Sequence, residues 1–209
     1  MSTVVAPLTY GGSITLWAYM ARASQVILEQ HDHYQKQTQR NRLYIHGANG
    51  KLMLSIPVKH LGKIGHQDYK TVLIDNQFPW QAQHWKSIQA AYRSSPYFEF
   101  YEDEIAFLYK EQFPHLYAFN IAFFEIIHKL IRLSFPITFT ESFEKEVTHL
   151  DIRPLQEVKT NGVEAALKYT QVFDDKNGFI ANLSVLDLLF NMGPESLHAL
   201  KNCALPKNT

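Results

Sequence analysis

The apolar run Val4 to Pro7 has the length of a strand, and Tyr10-Gly11-Gly12-Ser13 after it reads as a turn whose serine caps a helix. Ile14 to Arg22 continues at helical spacing, and Ser24 to Glu29 returns to a strand of apolar residues. Strand, glycine turn, helix and strand make a βαβ opening. Farther on, Arg42 to His46 and Lys51 to Val58 flank Gly47-Ala48-Asn49-Gly50. Asn-Gly between two apolar runs predicts a β-hairpin. Tyr69 to Ile74 reads as another strand. A helix is expected over Trp80 to Arg93, where Trp85, Ile88, Ala91 and Tyr92 recur at helical spacing. A second is expected over Phe98 to Tyr109. Leu116, Phe119, Phe123, Ile127 and Leu130 mark a long amphipathic helix that ends before Pro136. Ile137 to Thr140 and Leu167 to Phe173 read as strands, and Asp174 to Gly178 as a turn. Asn182 to Phe190 closes the pattern as a helix capped by Asn182 and stopped by Gly193-Pro194. Residues 141–166 show no clear period. The whole is an α/β pattern: a βαβ opening with a mixed sheet and hairpin, then a helical C-terminal half. No linker interrupts it, so one domain over residues 1–209 is expected.

Composition narrows the partners. The 209 residues suffice for a real core, and 46% apolar with 19% charged residues is globular rather than disordered. Acidic and basic residues balance at 20 each, which argues against a nucleic-acid footprint or a membrane-surface patch. The longest apolar stretch, Leu116 to Leu133, is broken by Asn120, Glu125, His128, Lys129 and Arg132, so no membrane span is expected. The N-terminus has neither a basic region nor an uninterrupted apolar core, so no signal peptide is read and a cytoplasmic location is expected. Cys203 is the single cysteine, which excludes an intrachain disulfide and a cysteine-based zinc site.

Candidate chemistry concentrates in Gln30 to Ile45, QHDHYQKQTQRNRLYI. Open α/β sheets bind ligands at the C-terminal ends of their strands, and this segment leaves the second strand there. His33 is a candidate general acid or base, with Asp32 to orient it or balance its charge. On a strand His31 and His33 share a face, so a metal site is an alternative if His60, His66 or a carboxylate supplies a third ligand. The remaining alternative is that both histidines are hydrogen-bonded loop residues. Lys36, Arg40 and Arg42 suit a phosphate, diphosphate or carboxylate, with Asn41 adding a neutral hydrogen bond. Glu29 or Asp32 can instead neutralise these cations as salt bridges. Lys59 and His60, in a second polar loop, can close the same site from the other side. If the ligand is a nucleotide, Gly11-Gly12 and the helix start at Ser13 are the phosphate-facing end. GANGK lacks the spacing of a phosphate loop and precedes a strand, and no serine-hydrolase elbow or H-E-x-x-H pair is present. No residue pattern names a cofactor.

Several pieces together resemble one family. They are His33-Tyr34-Gln35-Lys36, Gln39-Arg40-Asn41-Arg42, Ser55-Ile56-Pro57-Val58, Trp85-Lys86-Ser87-Ile88, Ala91-Tyr92, Pro96-Tyr97-Phe98-Glu99 and the closing segment Phe179 to Gly193. In this set the chain resembles the WbqC-like proteins of bacteria over most of its length. The opening turn departs from the more aromatic, proline-containing family form, and histidines stand where many relatives carry acidic residues or glutamine. The resemblance implies a role beside surface-polysaccharide (O-antigen) biosynthesis and an aminoacyl (glycine-type) or acyl transfer to a sugar. The ligand implied is a small molecule, an anionic sugar or an activated acyl donor. A non-catalytic protein binding an anionic sugar or nucleotide is the alternative, since the same cations serve it. An assembly protein presenting its aromatics to a partner is a third reading.

Overall fold

The computed structural model describes residues 2–59, 67–157 and 164–206. The chain opens as expected with β1 (Thr3–Pro7), α1 (Ile14–Ala21) and β2 (Gln25–Glu29). The hairpin follows as β3 (Arg42–Gly47) and β4 (Gly50–Ser55), antiparallel and in register from Arg42↔Ser55 to Gly47↔Gly50. Then come α2 (Trp80–Tyr92), α3 (Phe98–Lys110) and α4 (Leu116–Ile131). Two short strands, β5 (Ile137–Phe139) and β6 (Leu150–Asp151), precede α5 (Asp174–Asn177), α6 (Val185–Met192) and α7 (Ser196–Asn202). The main sheet has the order β5-β2-β1-β6 with every pair parallel, and the hairpin stands apart from it. Among the described residues no helix is long and apolar enough to cross a membrane.

The pleat of β1 and β2 divides the sheet into unlike faces. Val4, Ala6, Val26 and Leu28 point into the core. α1 packs on β1, with α6 and α7 behind it, and all eight of its residues are buried. Val5 and Ile27, paired across the two strands, point to the opposite face. Among the described residues no helix lines that face. Residues 140–149, the connection between β5 and β6, lie along it as an irregular strap.

The rest of the core is aromatic. Tyr10 packs edge-on against Phe119 and Phe123, and its hydroxyl meets Tyr109 Oη and His84 Nδ1, each at 2.9 Å. Burial lowers the His84 pKa to about 4, against an opposing hydrogen bond to the Ser55 backbone. A neutral imidazole therefore pins the end of the hairpin to the aromatic core. On the far side Asp187, on α6, accepts hydrogen bonds from Tyr92, Tyr169 and Gln171 at 2.5–2.9 Å. That set of donors substitutes for a cation around a fully buried carboxylate.

Three expected elements take other forms. Tyr69 to Ile74 is a 3-10 turn over Tyr69–Thr71 followed by single bridges, not a strand. Its backbone serves three different segments: Tyr69 N donates to Asp32 O, Leu73 O accepts from Lys59 N, and Ile74 N donates to Pro114 O. No one neighbour runs alongside it. Leu167 to Phe173 has no ladder either, because Gln171 ties it to Ile180 through its side-chain amide instead. The cap of α6 is Ser184, not Asn182. Asn182 has a left-handed backbone, φ 52°, and its Oδ1 accepts from Thr15 N, capping α1 from across the fold. The stretch without a clear period, residues 141–166, contains β6, which pairs beside β1.

Gly11 and Gly12 have φ of 73° and 67°, and a Cβ on Gly11 would stand 2.7 Å from Leu43 Cδ1 and 2.9 Å from Ser184 Oγ. Gly11→Ala is therefore expected to destabilise the protein by more than about 1 kcal/mol in chemical denaturation, since both conformation and space oppose it. A depressed histidine pKa stabilises the fold above the unfolded value and loses that contribution as pH falls toward the folded one. Between about pH 6.5 and pH 4, wild type should lose up to about 3 kcal/mol relative to His84→Gln. Parallel denaturation curves across that window check the sign, and a constant difference would contradict it.

Candidate functional site

Charged side chains gather where the parallel strands end. Glu29 is the last residue of β2 and is fully buried. Its carboxylate accepts from His31 N and Thr140 Oγ1 at 2.8 Å and from Arg153 Nη1 at 3.1 Å. Arg153 also holds Asp151 at the end of β6 through two donors, at 2.9 and 2.8 Å. Its remaining donors reach the carbonyls of Glu144 and Lys145, at 2.7 and 3.2 Å, and so clamp the strap. Gln30 ties β2 to Thr140 through its amide and accepts from Tyr117 Oη of α4.

The predicted polar segment then separates into members with different work. Arg40 is 1% exposed and pairs with Asp32 through Nη2. It donates from Nη1 to His33 O at 2.7 Å and lies over the Tyr69 ring. Asn120 of α4 donates to Arg40 O and to Tyr69 Oη, and Tyr69 donates to Leu8 O beyond β1. Burial raises the Asp32 pKa to about 6, with Arg40 pulling it down and Glu29 adding to the rise. Asp32 and Arg40 thus face each other inside the protein. His33 is half-exposed, with Nδ1 3.4 Å from Asp68 Oδ1. Asn41 donates to Ile56 O at 3.1 Å and fastens the foot of the hairpin. Lys36 and Lys59 have exposed side chains. His60 lies outside the described residues, as does His66. Among the described residues no group of three or more His, Cys, Asp or Glu is arranged to hold a metal ion.

Arg42 is placed differently from Arg40. It begins β3 and lines a cleft between the hairpin and the first βα turn, together with Gly12, Ser13, Lys51 and Asn182. Among the described residues Arg42 makes no ion pair, and its Nε is buried without a hydrogen-bond partner. Lys51, on β4 opposite His46, rests its Nζ 4.8 Å from the centre of the Tyr44 ring. The backbone N–H groups of Gly12 and Ser13, just ahead of α1, make no hydrogen bond among the described residues. Glu164 lines the same cleft. The cavity is small, about 30 Å³. One water needs roughly 10–15 Å³ on that measure, so the cleft admits a phosphate or carboxylate group and leaves the rest of a ligand outside.

Sequence reasoning singled out Arg42 and the glycine turn but missed Lys51, Glu164 and Asn182 around them. It also missed Thr140, Asp151 and Arg153 at the strand ends. Only Glu29, an acid closing an apolar strand, carried a signal.

Fold and cleft together define an α/β protein with a small anion-sized recess at the turn after its first parallel strand. The chain belongs to the WbqC-like protein family, whose model matches residues 13–163. It is 26% identical over 211 residues to the Uncharacterized protein Rv1507c of Mycobacterium tuberculosis, covering 88% of this chain and 90% of that one. No solved structure matches.

The two arginines give opposite expectations. Arg40→Ala leaves Asp32 buried and unpaired and should cost about 3–5 kcal/mol of stability. Arg42→Ala, at the cleft, should stay within about 1 kcal/mol of wild type. Urea denaturation of both variants checks this, and equal losses would contradict the division.

Proposed function

We propose that the protein binds a small molecule by its anionic end, the phosphate or carboxylate of an anionic sugar or nucleotide, in the cleft between the first βα turn and the hairpin. The observation that carries this reading is Arg42, a half-buried guanidinium with no carboxylate partner among the described residues, in a recess that also receives Lys51 and the start of α1. A guanidinium offers a two-pronged donor face to phosphate or carboxylate. Unpaired N–H groups and the dipole at a helix start favour the same charge. The recess holds the charged group only, so the remainder of the ligand lies along Tyr44 and the outer face of the hairpin.

A second reading is favoured by Glu164, a carboxylate in the same cleft. In it the protein is an aminoacyl or acyl transferase of surface-polysaccharide synthesis, the role implied by the family resemblance. Arg42 and Lys51 hold the phosphate of an activated acyl donor. Glu164 takes the proton from an acceptor amine or hydroxyl as the new acyl bond forms and the phosphate departs.

A thermal-shift panel of inorganic phosphate, a sugar phosphate, a nucleotide sugar and acetyl phosphate tests the binding. A ligand at 100 times its Kd adds about 2.7 kcal/mol, a Tm rise of about 5–10 °C for a chain of this size. The rise should disappear in Arg42→Ala. A rise that persists in that variant, or none with any anionic ligand, contradicts the proposal. For the transferase reading, Glu164→Gln should keep the rise and lose acyl transfer.

A further inference from the structure

A second cavity, about 320 Å³, lies on the face of the sheet beneath the strap, and it shares no lining residue with the anion cleft. We infer that this cavity is a binding site for a small, hydroxyl-bearing primary amine of single-ring size. Its volume is at the low end of the roughly 300–1,000 Å³ of small-molecule sites, which suits a single ring better than a nucleotide. The floor is apolar, made by Val5 and Ile27 from the middle of the sheet with Phe139 at the end of β5. The rim carries Glu141 and Glu144, and Glu29 closes the cavity at the end of β2. Among the described residues no lysine or arginine lines it, and His149 is the one basic side chain on its wall.

Charge decides the ligand class. Glu29 is already neutralised by Arg153. Glu141 and Glu144 make no ion pair among the described residues, although Arg153 and Lys145 belong to neighbouring chain. Arg153 is spent on Glu29, Asp151 and the strap carbonyls. Two unpaired carboxylates on the rim of an apolar floor favour a cation over an anion. An ammonium brings three hydrogen-bond donors to such a rim. Ser142 and Thr148 offer hydroxyls on the same wall, which suits a hydroxylated body more than an alkyl amine. The Phe139 ring offers a flat apolar surface for the carbon side of such a ring.

The wall is built rather than loose. Arg153, 7% exposed, fixes the roof through the Glu144 and Lys145 carbonyls. Thr140 is locked by Glu29 and by the Gln30 amide. From the middle of the sheet the cavity extends to the C-terminal ends of β2 and β5, toward the side where parallel sheets present their ligand sites. The inference is independent of the anion cleft, and separate variants tell the two apart.

The test is isothermal titration of the full-length protein with glucosamine, with glucose and N-acetylglucosamine as uncharged counterparts at equal ionic strength. Glucosamine should bind at least tenfold more tightly than either. The double variant Glu141→Gln/Glu144→Gln, altered only at exposed positions, should lose at least tenfold in glucosamine affinity, and Arg42→Ala should lose none. Val147→Trp, which fills the cavity, should abolish binding. Equal binding of glucose, full affinity in the double variant, loss in Arg42→Ala, or no glucosamine binding at all would each overturn the assignment.

Discussion

The buried guanidinium of Arg40 is the contact on which the site region depends. A charge this deep is tolerated only when it is paired and hydrogen-bonded. Asp32, the His33 carbonyl and the Tyr69 ring supply that environment. In meeting the need of one side chain, the chain fixes the path of the whole loop from β2 to β3. Asn120 extends the arrangement to α4, and Tyr69 carries it to the backbone after β1. The hairpin is thereby held against the first βα turn, and the recess between them becomes a fixed shape instead of a mobile gap. Preorganisation of this kind lowers the ordering cost of binding.

The sheet imposes the second constraint. Four parallel strands bury one face under α1 and leave the other to an irregular strap. A strap cannot seal a pleated face as a helix does, so an open volume remains there. Its ends are tied by Arg153, whose partners span β2, β6 and the strap itself. Buried ion pairs are weak contributors to stability, because desolvation offsets most of the attraction. Their value here is positional: Glu29–Arg153 and Asp32–Arg40 set where loops run, and the two cavities follow from those paths.

Much of the architecture was legible in periodicity. The βαβ opening, the Asn-Gly hairpin and the three long helices carry local signals that tertiary context did not override. What failed was made by partners distant in sequence. β6 has two residues and exists because β1 offers it a ladder, and Tyr69 to Ile74 was denied a strand because three segments share its backbone. The site was half legible for the same reason. Arg40 and Arg42 stand two apart in one polar run and look alike. Asn120, a polar residue inside an apolar helix, is what closes over Arg40, and α4 lies 80 positions away. Arg153 meets Glu29 across 124 residues, from a stretch without period. Composition located the charged region; only packing separates its buried cation from the one that faces the cleft.

The anion cleft is the central claim, and locating an anion directly tests it. A crystal soaked in sodium tungstate and measured at the tungsten absorption edge should show an anomalous peak within hydrogen-bond reach of Gly12 N and the Arg42 guanidinium. Peaks confined to the exposed lysines, Lys36 or Lys59, with the recess empty, would contradict the account.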